Sequence, residues 1–217
     1  EGDRGLFNAE DVVKSINPPD FYHSPKTSLV CIENTTNKGG GACWDIIELK
    51  KIKKICDENN LFFHLDGARI WNAFVKNKIN FKEYGKLFDT ISVCLSKGLG
   101  CPVGSLLLTS SKYFQNALKI RKILGGGMRQ SGFLAACGIY ALDNNINRLK
   151  DDHFKAKEIG NVLSKLDYIK KVEPVETNIV IFELDDKFSS SIFQNKLSDK
   201  GIEIISMGDN KLRVVTH

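Results

Sequence analysis

The alternation of short apolar runs with longer amphipathic runs is the feature that most narrows the folds open to this chain. Leu29–Glu33 (LVCIE), Leu61–Asp66 (LFFHLD), Thr90–Leu95 (TISVCL) and Gly104–Thr109 (GSLLLT) have the length and apolar content of buried strands. Between the first two lies Asp45–Asn60, where Ile46, Leu49, Ile52, Ile55 and Cys56 recur at helical spacing and Asp45 can cap the first turn. Ala68–Lys78 predicts a further helix. Strands alternating with helices predict an α/β fold with a mainly parallel sheet, flanking helices and right-handed crossovers. In such sheets ligands collect at the carboxyl ends of the strands.

The pattern changes further along. Ser111–Leu124 predicts a helix that Gly125-Gly126-Gly127 interrupts, since glycine destabilises a helix interior. A long helix is predicted from Arg129 to Asn145, with Ala135, Ala136 and Gly138 permitting close packing. Another runs from Asp151 to Leu166. After it come a strand over Asn178–Leu184, a helix over Phe188–Lys200, and strands over Glu203–Ser206 and Leu212–Thr216. The division expected is a large ligand-binding domain over 1–150 and a smaller C-terminal α/β domain over 151–217.

Composition bounds the partners. The 217 residues are 42% hydrophobic, enough for a core, and carry a net charge of only +5. Lysines such as Lys50, Lys51, Lys53 and Lys54 are spread along a helix as a solvated face, not gathered as a nucleic-acid patch. No apolar run reaches the roughly 18 residues of a membrane span, and no signal peptide is evident. Six cysteines without a CxxC pair read as reduced thiols of a cytoplasmic protein, with neither a disulfide frame nor a metal site. The chain begins at Glu1 without a methionine and ends just after an apolar run, as a piece of a longer polypeptide would.

The candidate chemistry lies where the sheet argument puts a site. Asp66 ends one apolar strand, and the Ser96-Lys97 pair follows another. A strand-end acid can hold the proton of a pyridinium nitrogen, and a strand-end lysine can form an imine with an aldehyde. Those are the two groups that pyridoxal phosphate requires of a protein. Each residue also has a plainer reading: Asp66 as the N-cap of the next helix, Lys97 as a solvated lysine. SKGLG is not a phosphate loop, because the serine precedes the lysine. GLGCPVG departs from a dinucleotide fingerprint and leads into a strand.

Arg69, three residues past Asp66, and Arg213, within a strand pattern, are candidate clamps for a carboxylate, each able to hold it through two parallel bonds. Lys122 and Arg129 flank the glycine turn and suit an anion or, more plainly, helix-end charge. His64 can stack on a cofactor or sit as a satisfied core histidine. Glu33 and Asn34 end the first strand and can face the same crevice.

Three segments, HLDGARIWNA, SVCLSKGLGCPVGSLL and RKILGGGMRQSGFLAACGIYAL, closely resemble the low-specificity L-threonine aldolases. These are fold-type I pyridoxal phosphate enzymes of the beta-eliminating lyase superfamily. The likeness runs from Gly5 to His217. It implies that Lys97 forms the imine with the cofactor, that Asp66 pairs with the pyridinium nitrogen, and that Ser96 lies near the cofactor. It implies that Arg69 lies beside the ring and, with Arg213, binds the substrate carboxylate. Lys122 and Arg129 would approach a site at a subunit interface, that of a neighbouring chain, in a homotetramer built as a dimer of dimers.

The reaction implied is reversible cleavage of L-threonine or L-allo-threonine to glycine and acetaldehyde, through an external aldimine and a quinonoid carbanion. Rival readings are another lyase acting on β-hydroxy amino acids, such as phenylserine, and a catalytically incompetent fragment. Two departures stand out. The N-terminal part of the family fold, with its glycine turn for the cofactor phosphate, is missing from this stretch, as are the last helices. Thr36, in ENTTN, stands where many members carry a histidine near the substrate hydroxyl.

Overall fold

A computed structural model describes residues 2–217 and holds two four-stranded sheets. The first is built from β1 (Leu29–Glu33), β2 (Phe62–Gly67), β3 (Thr90–Cys94) and β4 (Ser105–Thr109), side by side in that order. The pairs β1–β2 and β2–β3 are parallel. The pair β3–β4 is antiparallel, because only the SKGLGCPVG turn joins them and no crossover helix intervenes. The expected α/β fold with a mainly parallel sheet therefore holds, with the fourth strand as an antiparallel edge.

Alternation along each strand divides the sheet into two unlike faces. Val30, Ile32, Phe63, Leu65 and Val93 point to a core covered by α2 (Ile46–Glu58) and α3 (Ile70–Asn77). The helix α2 contributes Leu49, Ile52 and Cys56, all fully buried, so its apolar stripe sets its orientation on the sheet. Burying each leucine or isoleucine contributes about 1.5–3 kcal/mol, more than any capping bond at its ends. Asp45 caps it, its carboxylate accepting the Ile47 amide at 2.9 Å. The opposite face of the sheet carries Cys31 and Glu33, His64 and Asp66, Ser92 and Cys94, and is polar at its carboxyl end.

Two short helices complete this core: α1 (Ala9–Lys14), closed by a capping box between Asn8 and Asp11, and α4 (Phe81–Gly85), capped by Asn80. Tyr84 of α4 is fully buried and accepts a 2.7 Å bond from the Asn34 side-chain amide.

The α5 helix (Ser111–Ile123) ends at the glycine turn, as expected, and α6 (Gly132–Asn144) starts three residues later than the sequence pattern suggested. The α7 helix (Leu149–Leu163) leads to the second sheet. That sheet has the order β5 (Ile169–Val172), β6 (Ile179–Leu184), β8 (Lys211–Val215), β7 (Ile205–Gly208), all antiparallel, with α8 (Ser190–Ser198) between β6 and β7. Among its buried residues, Phe182, Leu184 and Leu212 pack with Tyr168 and Phe193.

The loop after β1 ties the two sheets together. Gly41 adopts φ +73°, and a Cβ there would stand 2.3 Å from the Thr177 hydroxyl, so only glycine fits. The Thr177 hydroxyl donates to the Gly41 carbonyl at 2.9 Å across that contact.

Candidate functional site

Glu33, Asp66 and Ser92 stand abreast on the polar face, paired in register across β1, β2 and β3. They mark the carboxyl end of the parallel strands. The Asp66 Oδ1 accepts the Ala68 amide at 3.0 Å, and its Oδ2 accepts no hydrogen bond among the described residues. Asp66 is not the N-cap of α3: that position is Arg69, whose side chain caps nothing. One carboxylate oxygen is thus fixed by the turn and the other left for a partner.

Lys97 reaches the same face from the next strand. Cys94 follows Ser92 by two residues and so shares its side of β3. The Lys97 ammonium donates to the Cys94 sulfur at 3.4 Å. The turn that carries Lys97 is held from several sides. The Lys97 carbonyl accepts the Gly100 amide at 2.8 Å, with Gly100 at φ +76°. Arg148 donates to the Gly98 carbonyl at 2.9 Å, and Asn145 to the Leu99 carbonyl at 2.7 Å. A Cβ at Gly98 would stand 2.9 Å from Leu149, so the lysine turn is pressed onto the start of α7. The Trp71 indole donates to the Cys94 carbonyl at 3.1 Å and ties the end of β3 to α3. Ser96, between these anchors, is exposed.

Arg69, at the start of α3, and Arg213, in β8 of the second sheet, meet at one atom. Both Nη1 groups donate to Oδ1 of Asn37, at 3.2 Å from Arg69 and 2.8 Å from Arg213. Their Nε groups are buried and have no hydrogen-bond partner among the described residues. Burial, and then the neighbouring Arg213 charge, push the Arg69 guanidinium below its ordinary range. Two half-buried cations sharing one neutral oxygen, with donors unspent, make a receptor for an anion with more than one oxygen.

Other candidates fall elsewhere. His64 Nδ1 hydrogen-bonds the Thr90 hydroxyl at 2.7 Å, two residues before Asp66 on its strand. Thr36 is buried, and its hydroxyl is directed at Gly39, where a Cβ would lie 2.3 Å from it. Lys122 and Arg129 are exposed on either side of the glycine turn, with the Lys122 stem lying against Gly127. A cavity of about 610 Å³ is apolar and lies between α5 and the amino ends of β1 to β3, lined by Leu29, Phe62 and Ile120. It is at the far end of the sheet from Asp66. Sequence reasoning missed Asn37, Cys94, Asn145 and Arg148. Only Asn37 carried a signal, as a polar residue in a glycine-flanked loop just beyond a strand. Among the described residues no cluster of His, Cys, Asp and Glu could hold a metal ion.

An acid at the end of β2, a lysine just beyond β3 and a pair of half-buried arginines are side chains of the kinds that pyridoxal phosphate chemistry uses. Residues 1–187 match the beta-eliminating lyase family, and the chain belongs to it. Pyridoxal phosphate is that family's cofactor, and the residues present fit it: an acid with a free oxygen, an amine on the turn after the adjoining strand and unspent cationic donors.

The chain is similar to the low-specificity L-threonine aldolase of Escherichia coli K12, with 37% identity over 98% of this chain and 61% of that one. It is also similar to low-specificity L-threonine aldolase 1 of Arabidopsis thaliana, with 35% identity over 98% of this chain and 61% of the relative. The chain therefore spans about three fifths of the length of these relatives. A solved structure of threonine aldolase from Leishmania major shares the fold, with TM-score 0.77 and 20% identity, over 99% of this chain and 63% of that one. The resemblance read from the three long segments is borne out by these similarities. No helix among the described residues is long and apolar enough to cross a membrane.

Proposed function

We propose that this chain is the greater part of an aldolase that cleaves a β-hydroxy-α-amino acid, threonine or allo-threonine, to glycine and acetaldehyde. The observation that carries the reading is the convergence on one sheet end of Asp66, Lys97 and the Arg69–Arg213 pair. Pyridoxal phosphate, when bound, supplies an electrophilic aldehyde carbon and a ring that withdraws the electron pair left on the substrate α carbon.

The side chains have separable tasks. Lys97 is the amine that would hold the cofactor through its aldehyde carbon. Asp66 would pair with the protonated ring nitrogen through the oxygen that the Ala68 amide leaves free. Arg69 and Arg213 would bind the substrate carboxylate and so fix the orientation of its α carbon in the site. Ser96 lies beside the cofactor. Lys122 and Arg129, exposed on their glycine turn, serve the site of a neighbouring chain in a dimer of dimers. Phe133, Ile139 and Tyr140 of α6, between 63% and 84% exposed, supply an apolar surface for such an assembly. The division at residue 150 into a cofactor domain and a small C-terminal domain belongs to the same proposal. So does a cytoplasmic setting, which the free cysteines suit.

The test is an absorbance spectrum of the full-length protein with pyridoxal phosphate, borohydride reduction and peptide mapping, followed by assay on threonine, allo-threonine and phenylserine. A reduced adduct on Lys97 with acetaldehyde release supports the proposal. Cleavage of phenylserine alone moves the substrate to an aromatic amino acid. A folded protein without adduct overturns the reading.

A further inference from the structure

The loop between β1 and α2 is buried and anchored at several points. Asn34, Thr35 and Thr36 are at most 2% exposed. The Thr36 amide donates to the Ala42 carbonyl at 3.1 Å, and the Gly41 amide to the Thr36 carbonyl at 2.8 Å. The Asn37 amide donates to the Glu33 carboxylate at 2.9 Å. Asn37 is thereby held before any ligand is bound, and its side chain is presented to the two arginines.

Guanidinium groups only donate, so the atom that Arg69 and Arg213 share is the amide oxygen and not the amide nitrogen. That oxygen is neutral. It holds two cations together without discharging either, and both Nε donors stay buried with no partner among the described residues. Like charges brought this close repel unless an acceptor separates them. A carboxylate meets the outstanding requirement, with two oxygens, four lone pairs and a negative charge.

We propose that Asn37 is a specificity-determining positioning residue: its neutral amide oxygen sets the two guanidiniums for a carboxylate while leaving their charge for the substrate to neutralise. The inference rests on the aldolase reading for the identity of the carboxylate as that of an α-amino acid. An aspartate at this place has nearly the same shape, bridges the same donors and supplies the anion internally. A purely structural bridge would tolerate that exchange, because the geometry and the acceptor are kept. A charge-reserving bridge does not.

The experiment compares Asn37→Asp and Asn37→Ala in the full-length protein. In the aspartate variant KM for threonine rises roughly tenfold to a hundredfold, since charged hydrogen bonds to the substrate are lost, while kcat falls less. The alanine variant shows the smaller rise in KM, because its arginines keep their charge. A second readout needs no turnover: in cofactor-free protein, acetate raises the melting temperature of the parent over an equal concentration of chloride, and Asn37→Asp abolishes that response. The inference is overturned if KM of Asn37→Asp stays within about twofold of the parent, if alanine costs as much as aspartate, or if acetate stabilises both proteins equally. Loss of the Lys97 adduct in the parent defeats the aldolase reading by itself and leaves the acetate result to decide on Asn37.

Discussion

The Lys97 ammonium rests against the Cys94 sulfur at 3.4 Å, a contact made across a single strand end and held in place by Trp71, Asn145 and Arg148. The amine that the proposal gives the covalent role is thus parked on the sheet face that also carries Asp66. Replacing Lys97 by alanine is expected to abolish the borohydride-trapped adduct while pyridoxal phosphate still binds reversibly. Cys94→Ser preserves a contact of similar geometry and is expected to keep the adduct. An adduct retained on another lysine in Lys97→Ala would remove Lys97 from its role.

Asp66 uses one oxygen to fix the turn and has the other to spare, so its two functions can be separated by substitution. Asp66→Asn keeps an acceptor for the Ala68 amide and loses only the charge. Its melting temperature is expected to match the parent, with kcat lowered on the order of a hundredfold or more. Asp66→Ala loses the turn bond as well and is expected to be both inactive and less stable. Near-normal turnover in Asp66→Asn would show that the carboxylate is a turn-former alone.

The bond from Asn34 to Tyr84 is buried at both ends, and burial pushes the Tyr84 phenol above its ordinary range. Tyr84→Phe deletes one oxygen and leaves the Asn34 amide without its acceptor in a dry core. The expected loss is about 1–3 kcal/mol of unfolding free energy, read by urea titration with an unchanged m-value. A loss below the precision of such a titration would mean that Asn34 finds another partner.

His153, on α7, donates from Nε2 to the Asn72 side-chain oxygen at 2.9 Å in its neutral tautomer. Burial depresses its pKa, with Asp152 opposing and Lys157 and Lys76 adding to the effect. The unfolded chain therefore binds more protons than the folded one near the ordinary histidine value, and stability rises with pH there. The protein is expected to lose stability as pH falls below roughly 6.5, the unfolded value. His153→Gln keeps a donor for Asn72 and should flatten that part of the stability profile. An identical acid profile in the variant would shift the cause to another group.

Periodicity made most of the elements legible. The strands over LVCIE, LFFHLD and TISVCL and the helix after Asp45 lie within a residue or two of their expected places, since one buried face dictates a period of 2 or 3.6. The strand β5, IKKV, carries two exposed lysines and showed no such period; pairing with β6 makes it a strand. The short helices α1 and α4 escaped because five or six residues are too few to show a stripe, although Asn8 with Asp11 and Asn80 with Glu83 were cap signals in plain sight. The expected start of α6 at Arg129 placed Gln130 in a helix, whereas it stands at φ +50° in the connecting turn.

The chain's own order of residues determined the sheet, its carboxyl edge, and the presence there of an acid and a lysine with the surrounding motif that ties them to one family. Each of those properties is local or periodic, and is written within a dozen residues. The tertiary structure alone decided that Arg69 and Arg213, 144 positions apart in number, share the oxygen of Asn37, and that Lys97 stands on Cys94 with Arg148 and Asn145 behind it. Such pairings depend on how two sheets dock through the Gly41–Thr177 contact and α7. Docking is set by packing between distant segments, and no spacing along the chain encodes which side chains then converge.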